Sequence, residues 1–89
     1  MKNIYSFDEI EVLKADNCTE KEAKKHLEKG TTIYSPEDYL QMLKDCNLRE
    51  EMGITGIQQI LERCKTNSQI GDTNFLEFRG IPCVIEYIL

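Results

Sequence analysis

The sequence predicts an α+β fold, with three to four short helices packed on a small antiparallel sheet that ends in a C-terminal β-hairpin. Three observations predict it. A complete helix signal lies between Thr19 and Gly30, with Glu22 three residues after the cap and glycine as the stop. Ile57, Ile60, Leu61 and Cys64 recur at the spacing of one helix face. Two β-rich runs, 75–78 and 81–89, are separated only by Arg79-Gly80, the length and chemistry of a tight hairpin turn. At 89 residues the chain has the size of one domain, taken as 1–89.

Taken in order, the first element spans residues 6–15 and reads two ways. Phe7, Ile10 and Leu13 follow a helical stripe capped by Ser6 with Glu9 three residues on, whereas Ile10 and Val12 alternate as in a strand. Both readings stay open, and the capping box favours the helix. The helix after Thr19 offers only Ala23 and Leu27, helped by His26, for burial, so it should lie on the surface and pack by one edge. Residues 31–34 are β-branched and aromatic, a short strand ended by Ser35-Pro36, a cap followed by proline at the first helical position. The helix beginning there carries Tyr39, Leu40, Leu43 and Cys46 on one face, with Met42 at its margin.

Residues 48–54 read as a turn or short helix ended by Gly53, and Thr55 as the cap of the amphipathic helix through Cys64. Residues 65–74 form a polar, flexible loop. In the final hairpin, Gly80 supplies the positive φ of the turn, and Pro82 places the start of the return strand at an edge or an unpaired position. That strand is apolar on both sides: Ile81, Cys83, Ile85, Tyr87 and Leu89 on one, Val84 and Ile88 on the other. It should be the best-buried strand, with the helices covering one face of the sheet.

Composition narrows the function classes. Hydrophobic residues make up 40% of the chain and charged residues 30%, which suits a folded, soluble protein. The apolar end at 81–89 falls far short of the roughly 20 residues a membrane helix needs. Lys2 followed by acidic residues does not make a secretory signal, so the expectation is a cytoplasmic protein with no membrane contact. Cys18, Cys46, Cys64 and Cys83 are spread too widely for a compact disulfide framework and read as reduced thiols acting as small hydrophobes. No two of them stand at zinc-ligand spacing, and no metal or other cofactor is expected. His26, the single histidine, lies on the most polar helix. Without a nucleophile elbow, a phosphate loop or a base beside a cysteine, the chain reads as non-enzymatic.

The formal net charge is −5, which argues against direct nucleic acid binding through phosphates and points to proteins with basic surfaces as partners. Candidate partner-binding residues are Asp8, Glu9, Glu11, Glu37, Asp38, Glu50 and Glu51. If they converge in space, they could occupy the basic channel of a nucleic-acid enzyme. Otherwise they are a solvated surface.

An alternative reading is a small DNA-binding transcriptional regulator. Residues 48–64 resemble a helix-turn-helix around Gly53-Ile54-Thr55, but Arg49 and Gln59 stand where a small and an apolar residue belong, and Gln58, Gln59, Glu62 and Arg63 offer phosphates little positive charge. A third alternative is a structural protein that self-associates, for instance as a dimer, through an edge of the terminal hairpin.

The opening Ile4-Tyr5-Ser6-Phe7-Asp8-Glu9-Ile10-Glu11-Val12 and the stretch His26-Leu27-Glu28-Lys29-Gly30-Thr31-Thr32-Ile33-Tyr34 are similar to the N-terminal halves of small acidic proteins of phages and mobile elements of Gram-positive bacteria. That group includes anti-CRISPR proteins. The resemblance covers about a third of the chain and contains no functional motif. It implies an inhibitor that binds a host defence nuclease rather than one that catalyses, and it transfers no site residue.

Overall fold

The computed structural model describes residues 9–47 and 56–88. Along the chain come α1 (Glu9–Ala15), α2 (Glu20–Lys29), β1 (Thr32–Tyr34), α3 (Pro36–Cys46), α4 (Ile57–Lys65), β2 (Gln69–Ile70), β3 (Thr73–Phe78) and β4 (Ile81–Glu86). The strands form one antiparallel sheet in the order β1-β4-β3-β2. The fold is α+β, with the C-terminal β3-β4 hairpin at its centre.

Side-chain alternation along the inner strands sets the layering. Leu76, Phe78, Cys83 and Ile85 project to one side of the sheet with Ile33, and there they bury Val12 and Leu13 of α1 and Ala23 of α2. Phe75 and Val84 project to the other side, where Tyr39 and Leu43 of α3 and Ile60 and Cys64 of α4 close over them. Helices therefore cover both faces, not one as the element order implied. β4 supplies both cores because neither of its faces is polar.

Each helix is delimited by local chemistry. The Thr19 hydroxyl accepts from the Glu22 N–H at 3.1 Å while the Glu22 carboxylate accepts from the Thr19 N–H at 2.9 Å, so α2 has the full capping box. Ser35 caps α3 through the Asp38 N–H, with Pro36 in the first turn. At the other ends, Asn17, Asn47 and Asn67 take left-handed backbone angles after α1, α3 and α4, and Gly30 does so after α2. The Cys18 N–H then reaches Leu13 O at 3.1 Å and the Ser68 N–H reaches Arg63 O at 3.0 Å, satisfying carbonyls that the helix leaves open.

Three further expectations change. The cap of α4 is Gly56, with no side-chain bond, rather than Thr55, which lies outside the described residues. Cys46 is exposed, because it falls in the last turn of α3, outside the core that α3 and α4 bury. The loop expected at 65–74 contains β2 and the start of β3, since Gln69 and Ile70 pair with Asn74 and Thr73 around the turn at Gly71. As expected, β4 is a well-buried inner strand whose start at Pro82 is unpaired on one side. The pair flanking a two-residue turn, Phe78 and Ile81, exchanges both bonds, so Pro82, opposite Glu77, turns its nitrogen away from β3. On that outer side β1 pairs only as far as Val84, so the missing N–H costs no ladder bond.

The segment at 6–15 is helical from Glu9, while its Ser6 cap and the turn or short helix expected at 48–54 lie outside the described residues. Among the described residues, no helix is long and apolar enough to cross a membrane.

Candidate ligand-binding cleft

On the α1–α2 side of the sheet, the strand alternation that buries Leu76 and Ile85 also places Asn74 and, beyond β4, Tyr87. The Tyr87 N–H donates to Asp72 O at 3.0 Å, extending the ladder past Glu86 and fixing the ring's position. The left-handed turn at Asn17 that ends α1 lowers Asp16 onto the same spot. Its Oδ2 accepts from the Tyr87 hydroxyl at 2.6 Å and from Asn74 Nδ2 at 2.7 Å. One carboxylate oxygen thus clips the α1 turn to two strands.

Around this clip lies a cavity of about 260 Å³. Cys18 and His26 form its α2 side, and Gln69 and Asp72 its β2–β3 side. A second hollow of about 200 Å³, reaching Asn67 and Ser68, shares Asp16, Gln69 and Asn74 with it. The His26 ring meets the Tyr87 ring edge-on with centroids 4.8 Å apart. His26 Nδ1 and Asn74 Oδ1 are buried beneath the lining without hydrogen-bond partners among the described residues.

Proton positions follow from the distances. Tyr87 has one proton and gives it to Asp16, so across the 3.6 Å contact with Cys18 the thiol donates to the phenol oxygen. Burial, followed by the hydrogen bonds to Asp16 and Cys18 and the Asp16 charge, holds the Tyr87 phenol far above its ordinary titration range. The Cys18 thiol accordingly faces the phenol oxygen. Cys64, on the far side of the sheet, is pushed up to about 11 by burial and donates to Cys83 O at 3.5 Å. All four cysteines are free thiols. Among the described residues, no group of three or more His, Cys, Asp or Glu side chains is placed to hold a metal ion.

The acidic residues singled out from sequence are dispersed. Glu9 and Glu11 open α1 on one side of the sheet, and Glu37 and Asp38 open α3 on the other. Asp8, Glu50 and Glu51 lie outside the described residues. At the N-terminal turns these carboxylates complement the helix dipole, and Glu11 also pairs with Lys14 at 3.5 Å. On α4, Gln58, Gln59 and Glu62 are exposed and Arg63 is half-buried, its Nε without a hydrogen-bond partner among the described residues.

Sequence reasoning missed Asp16, Asn74 and Tyr87 as a group. They are brought together across 58 and 71 residues of chain, and no local spacing announces such a contact. Among the described residues, four helices and four strands make an α+β fold with a polar cleft between the α1–α2 layer and the sheet. Compared with protein-family models, with curated proteins and with solved structures, the chain matches none.

Proposed function

We propose that this chain is a non-enzymatic binding protein that acts on a partner protein through the charge and shape of its exterior. The observation that carries the reading is its charge: a formal −5 on 89 residues, with exposed carboxylates on helices covering both faces of the sheet. Such a field attracts basic surfaces at long range and repels nucleic acid. The cleft is in keeping with this, because its hydrogen bonds engage the Tyr87 proton on Asp16 and the Cys18 thiol on the phenol oxygen. The partner is a protein with a basic channel or groove, of the kind that handles nucleic acid. In its specific form the reading is a phage or mobile-element inhibitor of a host defence nuclease.

Affinity capture from a host lysate at low and high salt, followed by nuclease assays across CRISPR effectors, tests both levels. A basic protein retained at low salt and released at high salt, with its nuclease activity blocked, is the expected result. Inhibition of none of the effectors removes the specific form, and failure to retain any basic protein removes the general one.

A further inference from the structure

We infer that the cleft between the α1–α2 layer and the sheet is a recognition pocket for a guanidinium group, filled by an arginine side chain of the partner protein. The inference rests on the proposed function and names the contact that would give it specificity. Charge balance in the cavity comes first. Asp16 and Asp72 both line it, and no lysine or arginine does. The groups bonded to Asp16, Tyr87 and Asn74, are neutral and occupy only Oδ2, leaving Oδ1 without a partner among the described residues. Asp72 uses its main-chain carbonyl in the ladder, and its side chain has no partner among the described residues.

Hydrogen-bonding capacity points the same way. The Gln69 amide donates to Gly71 O at 2.9 Å, which leaves its carbonyl oxygen as a further acceptor. The cleft therefore presents acceptors from α1, β2 and the β2–β3 turn to whatever enters. A guanidinium carries five donors in a fixed plane and no acceptor.

Shape and surface complete the match. A cleft of about 260 Å³ has room for a guanidinium and its stem. Tyr87 and His26 supply an aromatic wall, and guanidinium, being weakly hydrated, stacks on such walls more readily than ammonium. Asp16 and Asp72 line the same cleft, so a cation placed here meets two carboxylates at once.

The test is an amide-shift NMR titration of the whole chain with three probes at matched ionic strength: free arginine, an end-blocked Gly-Arg-Gly peptide and an end-blocked Gly-Lys-Gly peptide. The arginine peptide is expected to move the amides of Asp16, Cys18, Asp72 and Tyr87 saturably, at least several-fold more tightly than the lysine peptide. Asp72→Asn is the variant of choice, because Asp72 is exposed and its side chain holds no contact among the described residues. It should weaken the arginine peptide about fivefold, the value of one exposed charge pair at the upper end of its range.

Tighter binding of free arginine than of the blocked peptide would assign the pocket to a small metabolite and overturn the protein-side-chain occupant. Equal affinity for the lysine peptide would overturn the guanidinium preference. Shifts that do not saturate, or that survive Asp72→Asn unchanged, would overturn the pocket itself. Capture of a basic partner equally by the wild type and Asp72→Asn, without any peptide titration, would sink the pocket and leave the proposed function standing. Saturable peptide binding by a chain that captures no basic protein would do the reverse.

Discussion

Asp16 is where single-residue chemistry has the widest structural reach. Its Oδ2 receives two donors, one from each inner strand's side-chain set, and Asn74 already has an unpartnered Oδ1 beneath the cleft. Asp16→Ala would strand a phenol and an amide together, and a buried donor left unmade costs about 1–3 kcal/mol. We expect a loss of about 2–3 kcal/mol in urea unfolding, against about 1 kcal/mol for Tyr87→Phe, which removes donor and need together. The double variant should then cost less than the sum, because each partner's penalty depends on the other's presence. Strict additivity would show that the 2.6 Å contact contributes nothing to stability. The reading from sequence counted Tyr87 among the apolar residues of the last strand, and its side of the sheet was right; its hydroxyl's partner was not legible.

Among the elements, those bounded by their own residues were the legible ones. The Thr19–Glu22 box and the Ser35-Pro36 start are local chemistry, and both helices begin where that chemistry places them. Gly56 and the β2–β3 turn were not legible, because the first caps without a side chain and the second depends on pairing with β3. Cys46 fits the apolar stripe of α3 by spacing, yet which turns of that helix meet the core is a tertiary fact.

The asparagines at 17, 47 and 67 are a signal that could have been read, since asparagine tolerates the left-handed region almost alone among side-chain-bearing residues. At the capping box, acceptance of the Thr19 main-chain and side-chain hydrogen bonds lowers the Glu22 pKa below 4.5. A carboxylate depressed on folding contributes stability above its unfolded value and loses it as pH falls through the folded one. Glu22→Gln should therefore lower the melting midpoint at pH 7 and match the wild type near pH 3; a gap that persists in acid would deny the carboxylate its part. At the other turn, Gly80 has φ +80 with open space where a Cβ would stand. Gly80→Ala thus isolates backbone cost from packing and should destabilise by about 1 kcal/mol in denaturant melts, with the β3–β4 register intact.

For the whole molecule, the decisive feature is that the inner strands β3 and β4 each serve two cores. Cys83 and Ile85 belong to the α1–α2 side and Val84 to the α3–α4 side, so neither layer can melt without exposing the strand that holds the other. Buried weak acids sit in or against both layers. Cys64 is raised from 9.0 to about 11 and Tyr39 above 10.0, each chiefly by burial, on the α3–α4 side. Tyr87 is raised on the α1–α2 side, again chiefly by burial.

These groups are neutral in the folded chain, whereas the unfolded chain releases their protons at ordinary values. Above about pH 9 the unfolded state therefore binds fewer protons than the folded one, and stability falls with rising pH. The contribution is complete below that point and is lost as pH climbs toward and through the folded values. Because the acids lie on both sides of a shared strand, alkaline unfolding should be one transition, with helix ellipticity and side-chain packing lost together between about pH 9 and 11. Two of the four tyrosines, Tyr39 and Tyr87, should yield their phenolate absorbance only within that transition. Complete phenolate formation with the helices intact, or separate transitions for the two layers, would mean that β4 does not couple the two cores.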